Sequence, residues 1–129
     1  LDGAHNPGAI EAFAESVNTQ RGNNFEKIIL FSAVKEKEYE TMIHMLCESV
    51  DAKQYILTQI QNERGVSTKE LADVFQKYTD KKIIEEENLE KAFYMALEEK
   101  GEHGRVYCLG SLYLIGMLKE LIAGGKKHA

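Results

Sequence analysis

Asp2, His5 and Asn6 crowd into the first six residues of the chain, in the string Asp2-Gly3-Ala4-His5-Asn6-Pro7. A carboxylate, an imidazole and a carboxamide in one turn can bind ribose hydroxyls, donate to an anion, or close the first turn of a helix. Asn6 and Pro7 are fully explained by the last role. An asparagine caps by accepting from a free backbone N–H, and proline suits the first helical position because its missing N–H would be unpaired there anyway. For Asp2 and His5 the residue types leave two readings open. One is a ligand contact at a helix N-terminus, where exposed N–H groups and the helix dipole favour anions. The other is an Asx-type turn with an exposed imidazole.

A second candidate is Ser111. Gly110-Ser111 follows the apolar run RVYCL and precedes a helical stretch, so the hydroxyl and the neighbouring N–H groups would form an anion site at a helix start. By itself, a capping serine is the plainer reading. No G-x-S-x-G string surrounds it, which argues against a hydrolase nucleophile elbow. Lys37 lies in the charged run Lys35-Glu36-Lys37-Glu38, and such runs are usually a solvated helix start. His44 and His103 have no partners at metal-ligand spacing, and Cys47 and Cys108 form neither a CxxC nor a Cys/His pair. No metal site is expected within the chain.

The elements that must position these residues alternate. Lys27–Phe31 (KIILF) reads as a buried strand, residues 54–58 (QYILT) as a second, residues 82–84 as a weaker third and Arg105–Leu109 as a fourth. Between them run stretches of helical period. Tyr39, Met42, Ile43 and Leu46 share one helical face; Leu71, Val74, Phe75 and Tyr78 share another; Leu89, Ala92, Phe93 and Ala96 a third. Ser67-Thr68-Lys69-Glu70 has the spacing of a capping box. A first helix should begin at Pro7 and bury Ile10, Phe13, Ala14 and Val17. The last should span residues 112–123, with the tail 124–129 (GGKKHA) frayed. Leu1 would end a strand.

Strand–helix alternation with apolar strands predicts an α/β fold: a mostly parallel, Rossmann-like sheet flanked by helices on both faces. Right-handed crossovers then gather every strand-to-helix loop on one edge, where ligands bind in open sheets of this kind. Those loops are residues 2–7, 32–37, 58–67, 85–88 and 110–111.

Bulk numbers bound the rest. At 129 residues, with 43% hydrophobic and 29% charged residues, the chain 1–129 reads as a single globular domain. A formal net charge of −5 argues against a nucleic-acid partner, which demands clustered Lys and Arg. The longest apolar run, residues 108–118, is too short for a bilayer, which takes ~20 residues. No secretory signal is visible and both cysteines lie in apolar stretches, so no membrane contact and a cytoplasmic setting are expected. Opening on Leu1 and not on Met, the chain is expected to be a fragment of something longer.

The string Leu1-Asp2-Gly3-Ala4-His5-Asn6-Pro7 resembles the LDGAHNP signature of folylpolyglutamate synthase/dihydrofolate synthase, within the Mur ligase superfamily. Residues 31–38 (FSAVKEKE) are similar to that family's strand-loop segment, which often ends in Asp-Lys-Asp, and residues 109–116 (LGSLYLIG) to its GSLYLxG segment. The three motifs fall in the family's order from one end of the chain to the other. The resemblance implies a Mur ligase C-terminal domain that closes over an N-terminal P-loop domain of the same chain. That domain would hold most of the ATP and Mg2+. ATP would phosphorylate the carboxyl of a folate or dihydropteroate, and the amino group of L-glutamate would attack the acyl phosphate. Asp2 would contact ATP through its ribose, His5 would lie near the nucleotide and the reacting groups as the catalytic residue, and Ser111 and Lys37 would hold glutamate. Lys35 is a lesser candidate than Lys37. Glu36 and Glu38 stand where the family usually has Asp, which alters the local geometry. Many relatives carry Pro-Arg-Ala after the second strand. Here Arg64 is flanked by Glu63 and Gly65, so a looser loop is expected. These 129 residues contain no G-x-x-x-x-G-K-[ST] string, so the chain alone is expected to be inactive. The alternatives are the C-terminal domain of another Mur-type ligase and a non-catalytic α/β binding module.

Overall fold

The computed structural model describes residues 5–19, 25–35 and 38–127. Five helices and four strands alternate along it: α1 (Pro7–Thr19), β1 (Lys27–Phe31), α2 (Tyr39–Ser49), β2 (Gln54–Leu57), α3 (Thr68–Tyr78), β3 (Lys82–Glu85), α4 (Leu89–Glu99), β4 (Arg105–Leu109) and α5 (Leu112–Lys127). The strands form one sheet in the order β3-β2-β1-β4, and every pairing is parallel. The α/β expectation holds, with the strands where the apolar runs placed them.

Helices cover both faces. On one, Ile29, Phe31, Tyr55 and Leu57 pack against α1, α2 and α3 through Phe13, Val17, Met42, Leu46, Leu71 and Phe75. On the other, Ile28, Leu30, Ile56 and Cys108 pack against α4 and α5 through Ala92, Phe93, Ala96, Leu114 and Leu118. Both central strands are buried along their whole length, which is why they read as apolar runs after their first residues, Lys27 and Gln54.

The helix starts obey simple chemistry. Asn6 Oδ1 accepts from Ala9 N at 2.8 Å, Ser67 Oγ from Glu70 N at 3.1 Å and Asn88 Oδ1 from Lys91 N at 2.9 Å. Each satisfies one of the donors a helix leaves free in its first turn. Asn6 and Pro7 are therefore the cap and first residue of α1.

One expectation needs correction. The last helix does not stop at Ala123 but runs on to Lys127, so a glycine pair that costs helix stability does not end it. Tyr78 takes its place in the apolar stripe of α3, half-buried against the core. Its hydroxyl donates to Glu40 Oε2 at 2.9 Å and its ring stacks on His44 with centroids 4.2 Å apart, because a phenol at the rim of a core turns its polar end to water.

Candidate functional site

All four strands point the same way, so their carboxyl ends and the helix starts that follow share one edge. α1 reaches this edge too. Near its end Asn18 Nδ2 donates to Ser49 O, at the end of α2, with a distance of 2.7 Å. Because α2 descends from the carboxyl end of β1, that contact marks the opposite edge of the sheet. α1 is 13 residues long, about 19 Å at the usual rise, so its start at His5 and Asn6 lies at the carboxyl edge. Phe13, halfway along, meets Tyr107 of β4 edge to face with centroids 5.0 Å apart, which places α1 beside β4.

Within that edge the connections of neighbouring strands diverge twice, at β2/β3 and at β1/β4, and the second break carries the candidate residues. The chain leaving β1 turns to the α1–α3 face, whereas the chain leaving its neighbour β4 turns to the α4–α5 face. Adjacent strands whose connections diverge open a crevice between them, and open α/β sheets bind ligands there. Ser32 floors the β1 side and Gly110-Ser111 forms the β4 side. Ser32 N donates to Leu109 O at 3.3 Å, extending the ladder past the strands. Gly110 adopts a φ of +102°, a conformation that glycine takes without strain. Ser111 is buried and immediately precedes α5.

The electrostatics single out the same place. Helix N-termini carry partial positive charge. α2, α3 and α4 each have a glutamate in the first turn, namely Glu40, Glu70 and Glu90. α1 and α5 have no acidic residue there. The two helix starts flanking β4 are thus left without a first-turn carboxylate, which suits an anionic ligand.

The remaining loops are tied down. Val34 and Gly65 form an isolated antiparallel bridge, Lys35 N donates to Arg64 O at 2.8 Å, and Val66 N donates to Ala33 O at 3.0 Å. Ile60 and Val66 are buried beneath them. The loop expected to be loose for want of a proline is instead pinned to its neighbour. A side chain at 65 would collide with the carbonyl of Ile60, so glycine is needed there for close approach. Arg64 is exposed and joins this bridge through its backbone.

Of the sequence-predicted site residues, His5 and Ser111 come to the same edge of the sheet, both at the β4 side. Asp2 and Lys37 lie outside the described residues, as does Glu36. Lys35 is exposed on the loop after β1. Sequence reasoning missed Ser32 and Thr58 as more than loop boundaries. The signal was available, since each is a lone hydroxyl at the end of an apolar strand. Among the described residues no group of three His, Cys, Asp or Glu side chains is placed to hold a metal ion, and no helix is long and apolar enough to cross a membrane.

A doubly wound parallel domain with a switch point between β1 and β4 is the class these features define. The chain belongs to the Mur ligase family: residues 1–112 match the model of "Mur ligase, glutamate ligase domain". None of the curated protein sequences compared with it matches. Among solved structures it is similar to Escherichia coli FolC in complex with DHPP and ADP, with a TM-score of 0.85 and 17% identity over 98% of this chain and 28% of that one. It is similar also to Mycobacterium tuberculosis folylpolyglutamate synthase complexed with ADP, at TM-score 0.77 and 20% identity over 94% of this chain and 29% of that one. Thermotoga maritima folylpolyglutamate synthase matches at TM-score 0.76 and 25% identity over 97% of this chain and 27% of that one. The chain therefore spans under a third of the length of the structures it resembles.

Proposed function

We propose that this chain is the C-terminal domain of an ATP-dependent, ADP-forming ligase that adds L-glutamate to a folate or dihydropteroate through an acyl phosphate. The observation that carries the reading is the sheet edge beside β4, where Ser111 and the start of α1 at His5 and Asn6 lie between two helix N-termini without first-turn carboxylates. The family match and the fold shared with FolC-type enzymes support it.

In this reading the domain works by positioning and electrostatics, not by supplying a nucleophile. Ser111 and the first N–H groups of α5 hold the α- or γ-carboxylate of glutamate. His5 stands near the nucleotide and the reacting carboxyl, Asp2 takes the ATP ribose, and Lys37 adds a positive charge toward glutamate. ATP phosphates and Mg2+ are held mainly by an N-terminal P-loop domain of the same chain, over which this one closes. No step within the described residues runs through the metal. The setting is the cytoplasm.

The test is the ligase reaction in a protein that carries this chain behind its P-loop domain. ADP release should require ATP, Mg2+, L-glutamate and a folate or dihydropteroate together. Activity only with a cell-wall peptide precursor would favour another Mur-type ligase. Absence of any acceptor-dependent ADP release would refute the reading.

A further inference from the structure

We propose that Ser32 is a ligand-binding residue of the crevice, donating its hydroxyl to a carboxylate oxygen of the amino-acid substrate alongside Ser111. This rests on the glutamate-ligase reading for the identity of the amino acid, but not for the presence of a carboxylate.

The residues around Ser32 alternate strictly. Ile29, Phe31 and Ala33 face α1–α3, while Ile28, Leu30 and Val34 face α4–α5. Ser32 takes the second set by pleat, as the one polar residue in that row. It is fully buried, and its Oγ has no hydrogen-bond partner. A buried hydroxyl without a partner is rare in folded proteins and calls for an explanation. Thr58, next to it across the β1–β2 ladder, shows the usual outcome, because its Oγ1 donates to Glu87 O at 3.3 Å.

What lies on the Ser32 side is the start of α5. α5 packs on the same face through Leu114, Ile115 and Leu118, and its first turn carries no carboxylate. The Gly110 backbone lies directly against the Ser32 carbonyl. A helix start suited to an anion and an orphaned hydroxyl donor thus converge on one spot. A carboxylate seated there would accept from both.

The experiment is an amide NMR titration of the protein that carries this chain behind its P-loop domain with L-glutamate, and separately with glutarate, which keeps both carboxylates and lacks the amine. Wild type and Ser32→Ala are compared. Saturable shifts are expected at the Ser32, Gly110 and Ser111 amides, with affinity weakened about tenfold by S32A, the size of one charge-assisted hydrogen bond. The thermal midpoint of S32A should stay equal to or above wild type, because only an unpaired group is removed. Equal affinity in wild type and S32A overturns the inference and leaves the glutamate-ligase reading standing. Binding of glutarate that depends on Ser32, with no preference for glutamate, keeps the inference and removes glutamate as the substrate. Absence of saturable shifts at these amides in wild type, or a lower melting point for S32A with unchanged affinity, shows that Ser32 is structural.

Discussion

Gly110 packs its α-carbon against the carbonyl of Ser32, leaving no room for a β-carbon, which would also meet the Phe31 ring at 3.0 Å. The contact joins the ends of β1 and β4 and sets the depth of the crevice between them. Gly110→Ala meets two penalties at once: a backbone clash and a φ of +102° that L-residues avoid. The expected loss is about 2–4 kcal/mol of folding stability, read as a lower midpoint in urea denaturation. A variant within 0.5 kcal/mol of wild type, roughly the noise of a neutral surface change, would show that this backbone approach is relaxed in solution.

The helix caps offer a graded test. Ser67 and Asn88 each accept one first-turn N–H, from Glu70 and Lys91, and Asn6 does so from Ala9. Replacing any one with alanine should cost about 1 kcal/mol, and with glycine only a few tenths. Denaturation midpoints of the six single variants check this. The same losses should add, since the caps sit on different helices without shared partners.

Much of this architecture was legible in the sequence because the core is two-sided. Ile28 and Ile29 face opposite layers, so the strand had to be an apolar run, and four such residues between two polar breaks have the length of a strand, not of a helix. The caps were legible because Ser67, Asn88 and Asn6 do chemistry that depends on spacing alone. The crevice was harder to read. That β4 sits beside β1, with its connection turning to the other face, depends on the long crossover through α4, which no local pattern encodes. Ser32 could not be distinguished from a loop serine until its neighbours on the sheet were known. The anchoring of the loop at Arg64 was hidden for the same reason, because it rests on a bridge between Val34 and Gly65 rather than on a proline.

Both cysteines should be sluggish toward thiol reagents. Burial raises the Cys47 thiol to about 11 and the Cys108 thiol to about 12, since a thiolate is poorly solvated among apolar neighbours. At pH 8 only roughly one Cys47 in a thousand is the reactive thiolate. Native protein mixed with dithiodipyridine should release thiopyridone slowly, Cys47 ahead of Cys108, and both should react at once in denaturant. Fast stoichiometric labelling of native protein would contradict the burial of these thiols.

A pH test addresses the contact between α2 and α3. The Tyr78 hydroxyl, with help from the Lys77 ammonium, holds the Glu40 carboxyl below its usual value of 4.5. The stabilisation from Glu40 is therefore present above that value and fades as pH falls through the lowered folded one. Tyr78 runs the other way. Its hydrogen bond to Glu40 raises it above 10.0, so its contribution is full below pH 10 and fades as pH rises through the folded value. Glu40→Gln should separate from wild type in melting temperature near neutrality and converge with it toward pH 3. The gap should be small and shrink in salt, because the groups are exposed.

The division of labour between His5 and Ser111 can be separated kinetically in the full ligase. Both lie at the carboxyl edge beside β4, but on different helix starts, α1 on one face of the sheet and α5 on the other. If Ser111 grips a glutamate carboxylate, it contributes to ground-state and transition-state binding alike, so Ser111→Ala should raise KM for glutamate about tenfold with little change in kcat. His5 near the reacting carboxyl would act on charge that develops only as the acyl phosphate forms and is attacked. His5→Ala should then lower kcat by about 10²-fold or more with KM for glutamate less affected. Steady-state ADP release with varied glutamate distinguishes the two patterns. A Ser111 variant that changes KM for ATP instead of glutamate would move the amino acid away from α5, and with it the carboxylate assigned to the crevice.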